Sequence, residues 1–315
     1  MQILNLEPEE YSNEANSILN TMGKVTNGPF SREELIGKIG NFDALITRLG
    51  HRIDKEILDK AKNLKVIVTA TTGLNHIDLE AAEFRGIKIL SLRNETNFLN
   101  SVSATAEHCW GLLLSLVRHI PSAYEDVKEG RWDRNSFKGH ELQDMTIGII
   151  GYGRLGSIVA RYAKAFGMKT IINDVKKVDD YPQTELGVLL SQADVISIHV
   201  SYSAETHHLL NKDNMGQIKQ GAFLVNTARG EVIEESALAD CLRSGQIAGA
   251  ALDVLTEETS TEKNWLLKNE LFKLAATSKN LIITPHIGGA TYQSMQKTEI
   301  FMAQKLKHFW NSQNG

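Results

Sequence analysis

A glycine-rich motif is the clearest chemical signal in this sequence. Gly151, Gly153 and Gly156 directly follow the apolar run 146–150, and a stretch with helical spacing begins at the same place. In such a motif the first glycine permits a tight turn, the second lets backbone approach a pyrophosphate, and the third lets helix pack on strand. Backbone N–H groups at the start of the helix then bind phosphate oxygens. The motif therefore predicts a dinucleotide-binding site.

An acidic residue follows where such a site needs one. Asp174 ends the next predicted strand, 23 positions after Gly151, close to the ~20 positions expected of the acid that binds the adenosine ribose of NAD. A carboxylate there repels the 2′-phosphate of NADP, and no arginine directly follows it. Lys176 and Lys177 soften that repulsion, so the pattern favours NAD without excluding NADP.

The elements that must position this motif alternate between strands and helices. Before it, β-branched runs at 44–47, 64–68 and 87–90 are separated by stretches with helical spacing at 54–62 and 78–85. This alternation is typical of βαβ units, in which crossover helices cover both faces of a parallel sheet.

A second series of strands surrounds the glycine motif. We predict a long helix at about 101–119, a loop with a short helix at 256–279 and a last helix at about 291–310. Between them we predict strands at 146–150, 170–172, 195–198, 223–225, 248–254 and 281–283. Six such strands are expected of a dinucleotide-binding sheet, so the sequence predicts two α/β domains.

Composition limits the partners. The 315 residues suit two domains at roughly 150 residues each, and a net charge of −4 with no basic run argues against nucleic-acid binding. No apolar run approaches the ~20 residues of a membrane span, and the first residues do not resemble a signal peptide. Cys109 and Cys241 lack metal-type spacing and fit a reducing cytoplasm. We therefore expect a cytoplasmic protein without a metal site.

Five short stretches match one enzyme family in order and spacing. They are AEH at 106–108, the glycine motif, VNTARG at 225–230, GAALDV at 249–254 and TPHIGG at 284–289. Over about 60–300 the chain thereby resembles the D-isomer-specific 2-hydroxyacid dehydrogenase family.

The resemblance implies two doubly wound parallel-sheet domains of the α/β class. A Rossmann cofactor domain at 99–286 is expected to be inserted into a flavodoxin-like substrate domain, formed by 1–98 and 287–315, with the site in the cleft between them. It also implies a homodimer. The helix at 101–119 is the expected contact region, although its apolar face is equally suited to the core.

The resemblance further implies a catalytic set of Arg229, Glu258 and His286. Reduction of a 2-keto acid needs a cation that holds the carboxylate and polarises the carbonyl, which a guanidinium does with its fixed fork of donors. It also needs a proton donor whose pKa lies near the working pH, and histidine is suited to that role. A neighbouring carboxylate favours imidazolium and orients the ring.

One departure bears on the glutamate. The family usually has proline after it, whereas Thr259 follows Glu258, and the adjacent Glu257 leaves a one-residue slip open.

The remaining site residues also follow from the resemblance. Backbone at Arg154 and Leu155 is expected to bind the pyrophosphate, and Asp253 to accept a hydrogen bond from the nicotinamide carboxamide or, alternatively, to be a turn aspartate. Other expected cofactor contacts are Thr227 and Ala228 near the nicotinamide, His199 and Val200 near the adenosine, and Gly288.

Substrate contacts are expected from an earlier loop. The resemblance implies that backbone N–H groups of Thr72, Gly73 and Leu74 bind the substrate carboxylate, a use that suits glycine. Arg48 is expected either to hold a polar substrate tail or to be a surface arginine. The charged segment 93–100 is likewise either a specificity loop, acting through Arg93 or Glu95, or a solvated hinge.

The function expected from these residues is reversible, NAD-dependent reduction of a small 2-keto acid to its D-2-hydroxy acid. Two alternatives remain open at this point. The same site could reduce a 2-imino acid, because C=N and C=O accept the same hydride and proton. The chain could also be a binding protein that senses NADH without turning it over, although such a sensor would have no need of an acid–base pair.

Overall fold

The computed structural model describes residues 1–258, 260, 262 and 264–314. The chain folds into two compact units: the first comprises Met1–Val102 and the residues from Ala290 onward, and the second comprises Ser103–Glu258 and Glu262–Gly289. The expected boundaries at 98 and 286 lie a few residues earlier in the chain than these changeovers.

The first unit contains a five-stranded parallel sheet with the strand order β2-β1-β3-β4-β5, the flavodoxin-like order. Its strands are β1 (Gln2–Asn5), β2 (Lys24–Asn27), β3 (Ala44–Thr47), β4 (Val66–Thr69) and β5 (Lys88–Leu90). The helices that alternate with them are α1 (Asn13–Asn20), α2 (Arg32–Lys38), α3 (Lys55–Lys60), α4 (Leu79–Phe84) and α5 (Thr96–Leu99). The sequence patterns predicted β3 to β5 but not β1 and β2.

Side-chain caps explain where the first helices begin. Ser12, Ser31, Asp54 and Asp78 each accept a hydrogen bond from a backbone N–H in the first turn of α1, α2, α3 and α4. The Glu34 carboxylate in turn accepts a hydrogen bond from the backbone N–H of Ser31, which completes a capping box. These caps satisfy N–H groups that have no partner inside the helix.

The second unit contains a six-stranded parallel sheet with the strand order β11-β10-β9-β8-β6-β7. Its strands are β6 (Thr146–Ile150), β7 (Lys169–Asn173), β8 (Val195–Ile198), β9 (Ala222–Asn226), β10 (Ile247–Leu252) and β11 (Leu281–Ile283). The chain reverses its direction of winding between β6 and β8. Ligands of doubly wound sheets bind outside the carboxyl ends of the strands at such a switch point.

Helices cover both faces of this sheet. They are α6 (Ala104–Val117), α7 (Ile120–Lys128), α8 (Arg154–Ala165), α9 (Leu186–Gln192), α10 (Glu235–Ser244), α11 (Trp265–Lys268) and α12 (Glu270–Ala275). The helix predicted at 101–119 corresponds to α6, whose Cys109, Leu113 and Leu116 are buried in the core. The last helix, α13 (Tyr292–Asn314), returns to the first unit and packs on α1 through buried Met302 and Leu306.

Candidate active site

Two of the three motif glycines are required by the protein's own backbone, and the third lies in open space. Gly151 has a φ of +92°, and a Cβ there would lie 2.8 Å from the carbonyl carbon of His199. A Cβ on Gly156 would lie 2.1 Å from the carbonyl oxygen of Gly151, so only glycine lets α8 pack there. A Cβ on Gly153 would meet no protein atom within 4 Å, which leaves that side of the backbone open to a phosphate.

Asp174 lies beside this glycine loop at the end of β7. Its Oδ2 accepts the backbone N–H of Tyr152 at 2.6 Å, and its Oδ1 accepts the N–H of Lys176 at 2.7 Å. Arg154 and Leu155 form the first turn of α8, so their backbone N–H groups lie at the helix N-terminus. The predicted pyrophosphate and ribose contacts are thus neighbours.

His199 and Val200 follow β8 and press against Gly151. The His199 ring is buried: Nε2 lies 2.8 Å from Ser197 Oγ, and Nδ1 has no partner among the described residues. Burial lowers the pKa of His199 to about 4. This histidine is therefore neutral at physiological pH.

The Asn226 side chain shapes the turn that carries Arg229. Its Nδ2 donates to the Arg229 carbonyl at 2.8 Å, and its Oδ1 accepts the Ala228 N–H at 2.9 Å. Thr227 is buried in this turn. The role of Asn226 was not predicted, although it belongs to the VNTARG stretch.

The Arg229 guanidinium is largely buried, which lowers its pKa, while the carboxylates of Glu258 and Glu231 act in the opposite direction. One of its N–H groups donates to the Ala228 carbonyl at 2.6 Å. The next residue, Gly230, must be a glycine because the chain crosses another backbone there. A Cβ at this position would lie 2.1 Å from the Leu255 carbonyl carbon. This crossing brings the loop after β10 next to Arg229.

That loop carries the glutamate that contacts His286. Glu258 Oε1 lies 2.7 Å from His286 Nδ1. The glutamate in contact with the histidine is therefore Glu258 and not the adjacent Glu257. Thr259, the departure from the family pattern, lies outside the described residues. Glu235 holds the loop by accepting the Thr256 N–H at 2.7 Å, a contact that sequence patterns did not predict.

Asp253 is buried and lies next to the His286 segment. Its Oδ1 accepts from Thr284 Oγ1 at 2.6 Å, the Ile287 N–H at 2.9 Å and His108 Nε2 at 3.1 Å, while its Oδ2 accepts the Gly288 N–H at 2.7 Å. The Gly288 N–H, expected near the cofactor, is therefore engaged with Asp253. The roles of His108 and Thr284 were not predicted, although both lie in the matched stretches.

The predicted substrate loop of the first unit connects β4 to α4. The Thr71 hydroxyl donates to the Gly73 carbonyl at 2.7 Å, and the Leu74 carbonyl accepts the Ile77 N–H at 3.0 Å. Within the described part of the chain, the N–H groups of Thr72, Gly73 and Leu74 have no hydrogen-bond partner.

Two further residues of the first unit have protein partners. The Arg48 guanidinium lies 3.0 Å from Glu299 Oε1 and donates to the Glu7 carbonyl at 3.1 Å. The Glu95 carboxylate pairs with Lys305 of α13. Their predicted roles toward a substrate stay predictions.

Comparison with known proteins identifies the family. The model of the D-isomer specific 2-hydroxyacid dehydrogenase NAD binding domain matches residues 110–288. The chain belongs to this family.

Proteins with named activities align with nearly the whole length of this dehydrogenase. A hydroxypyruvate reductase of Thermotoga maritima is 36% identical over 286 residues, which are 90% of each chain. The D-lactate dehydrogenase of Aquifex aeolicus, solved with NAD and lactic acid, is 29% identical with a TM-score of 0.86 over 99% of this chain and 96% of that one. An acyclic imino acid reductase solved with NADPH and D-Arg is 28% identical with a TM-score of 0.83 over 99% and 98%.

The family assignment makes this chain an NAD-dependent oxidoreductase, and its two parallel-sheet units have the expected family fold. The open side of Gly153 and the acid at 174 fit NAD. Among the described residues no cluster could hold a metal ion, and no helix has the length and apolarity to cross a membrane.

Proposed function

We propose that this enzyme reversibly reduces a small 2-keto acid to its D-2-hydroxy acid. The observation that carries the proposal is the 2.7 Å contact between His286 Nδ1 and Glu258 Oε1, in a loop that also lies against Arg229. An acid–base pair beside a buried guanidinium suits a substrate with a carboxylate next to a carbonyl. The names of the similar hydroxypyruvate reductase and D-lactate dehydrogenase point to the same substrate class.

Arg229 would bind the substrate carboxylate and polarise the adjacent carbonyl. Its burial strengthens both interactions, because a charge in a low-dielectric site is less screened by water. The planar guanidinium can donate two parallel hydrogen bonds, which fixes the substrate's orientation as well as its position.

His286 would give the carbonyl oxygen its proton. Because Nδ1 is engaged with Glu258, Nε2 is the ring nitrogen left for the substrate. After the transfer the ring is neutral, and its Nδ1–H still donates a hydrogen bond to the Glu258 carboxylate. In the oxidative direction Nε2 takes the proton back from the substrate hydroxyl. The hydride for the carbonyl carbon would come from NADH when it is bound.

The cofactor contacts are proposed residue by residue. Backbone at Gly151, Gly153 and Gly156 with Arg154 and Leu155 would hold the pyrophosphate, and Asp174 the ribose. The adenosine would contact His199 and Val200, and the nicotinamide would contact Thr227, Ala228, Asp253 and Gly288. For the substrate carboxylate we propose the N–H groups of Thr72, Gly73 and Leu74, with Arg48 as a further candidate for a polar tail.

A panel of acceptors tests this proposal. NADH oxidation is measured with glyoxylate, hydroxypyruvate, pyruvate and longer 2-keto acids, each with and without ammonia or methylamine. We expect turnover with at least one keto acid in the absence of amine. Turnover only with amine would favour a 2-imino acid, the substrate class suggested by the similar imino acid reductase. No turnover under either condition would contradict the proposal.

We also propose a homodimer and a cytoplasmic location. Ile120, Tyr124 and Val127 lie on one side of α7 and are 51%, 63% and 49% exposed, so this helix, rather than the buried α6, offers an apolar surface to a second copy. The free thiols Cys109 and Cys241 support a reducing compartment. A sedimentation coefficient of a ~35 kDa monomer would argue against the dimer.

A further inference from the structure

A histidine outside the proposed catalytic set contacts the proposed nicotinamide site. We propose that His108 of α6 is a positioning residue: it holds one oxygen of Asp253, so that the other oxygen is aimed at the carboxamide of the cofactor. This inference rests on the proposed cofactor role of Asp253. His108 itself would touch neither the substrate nor the reacting atoms.

The hydrogen bonds determine which partner donates. Burial raises the pKa of Asp253, but hydrogen bonds from His108, Thr284 and two backbone N–H groups outweigh burial and hold that pKa below its usual value. An ionised carboxylate only accepts hydrogen bonds. His108 Nε2, at 3.1 Å from Asp253 Oδ1, must therefore carry a hydrogen and donate it.

The threonine strengthens this conclusion. Thr284 Oγ1 lies 2.6 Å from Asp253 Oδ1 and uses its single hydrogen for that bond. Its oxygen also lies 3.0 Å from His108 Nε2, so it can only accept there. The same Nε2–H is thus shared between the aspartate and the threonine, and the ring is held from both.

The two oxygens of Asp253 are used unequally. Oδ1 accepts three hydrogen bonds from protein groups, whereas Oδ2 accepts one, from the Gly288 N–H at 2.7 Å. Each carboxylate oxygen has about two lone pairs. The donors at Oδ1 exceed that number, one of them being the Nε2–H that is shared with Thr284, whereas the one donor at Oδ2 does not fill it. Oδ2 therefore retains capacity for an amide donor, and a Cβ at position 288 would crowd it at 2.9 Å.

Two dinucleotides that differ only at the carboxamide test the role. The probes are NADH and the reduced form of 3-acetylpyridine adenine dinucleotide, in which a methyl ketone replaces the amide and removes its N–H donors. Dissociation constants are measured by fluorescence titration without substrate, so the readout does not depend on turnover. The variants are His108→Leu, which has no donor, and His108→Gln, whose amide N–H can replace Nε2–H.

We expect His108→Leu to weaken NADH binding roughly tenfold, the scale of one hydrogen bond to a charged group. Binding of the acetylpyridine analogue should change less than about twofold, and His108→Gln should restore most of the NADH affinity. Equal losses for both dinucleotides would reduce His108 to a structural role and overturn the inference. An unchanged affinity for NADH would overturn it as well.

A third variant covers a failure of His108→Leu to fold. His108→Asn keeps a polar side chain that is too short to reach Asp253, and the same selective loss is expected. The outcome is separable from that of the acceptor panel. Selective loss in binding with no keto-acid turnover would contradict the proposed reaction alone, whereas turnover without selective loss would contradict the role of His108 alone.

Discussion

Two carboxylate–cation pairs, one in each unit, have similar geometry and opposite uses. In the second unit Glu258 lies 2.7 Å from His286, and the two side chains are 20% and 23% exposed. In the first unit Glu299 lies 3.0 Å from Arg48, and the Glu299 side chain is 1% exposed. The pairs differ in whether the cation can release its proton and whether the carboxylate meets solvent.

That difference indicates what each pair can do. Histidine titrates near neutral pH and keeps a second ring nitrogen, so a partly exposed His–Glu pair can transfer protons. Arginine does not release its proton, and Glu299 also accepts the Ser12 N–H at 2.7 Å. Glu299 of α13 is therefore held by Arg48, which follows β3, and by the backbone N–H of Ser12 at the start of α1. We expect damage to the second-unit pair to affect the reaction and loss of Glu299 from the first-unit pair to affect stability.

The largest effect is expected from His286→Asn. Removal of the general acid should lower kcat by roughly 10²–10⁴-fold, while the affinity for NADH and the unfolding midpoint stay close to those of the unaltered enzyme. Stopped-flow and steady-state rates with the best acceptor provide the measurement. Near-normal kcat would show that the proton comes from another group.

Glu299→Ala should show the opposite profile. It leaves Arg48 without its buried carboxylate partner and the Ser12 N–H without its acceptor, which we expect to lower the free energy of unfolding by about 3 kcal/mol. Burial raises the pKa of Glu299, so the neutral Glu299→Gln, which keeps an acceptor, should cost less than alanine. Urea unfolding gives both values, and Glu125→Ala on the exposed Lys128 pair is the control, with a cost below about 1 kcal/mol. Equal costs at 299 and 125 would contradict a structural role.

A second histidine sharpens the contrast with His286. His199 is buried without a carboxylate partner, and its pKa falls from 6.5 to about 4. Between these pH values His199 is protonated in the unfolded chain but stays neutral in the folded chain. Stability should therefore fall as pH drops from 6.5 toward 4, by up to about 3 kcal/mol from this group.

Urea unfolding of the unaltered protein and His199→Gln across that range isolates the contribution. The difference between the two free energies should move in favour of the variant as pH falls. A difference independent of pH would show that His199 is not held neutral.

The smallest expected effect separates two adjacent glutamates. Glu258→Gln replaces a charge-assisted hydrogen bond to His286 with a neutral one, a loss of about 1.4 kcal/mol that should lower kcat roughly tenfold. Glu257→Gln is the matched control and should stay within about twofold of the unaltered rate. Steady-state kinetics on both variants decides the assignment, and the reverse order would move the catalytic carboxylate to Glu257.

Local patterns were sufficient for much of this protein. The glycine motif, the acid at 174 and the strand alternation around them could be read because each depends on residues near one another in the chain. Strands β3 to β5 of the first unit were likewise predicted from apolar runs. β2 was not, because the Lys24–Asn27 strand carries no buried residue. β1 was not predicted either, although its Ile3 and Leu4 are buried.

Other features were decided only by the tertiary structure. His108 meets Asp253 across 145 positions, and Ser12 meets Glu299 across 287. Glu258 meets His286 across 28 positions. Spacing along a helix or strand determines which residues share a face, but it contains no distance between elements far apart in the chain. Those distances are set by how the sheets order their strands and by which helices cover them.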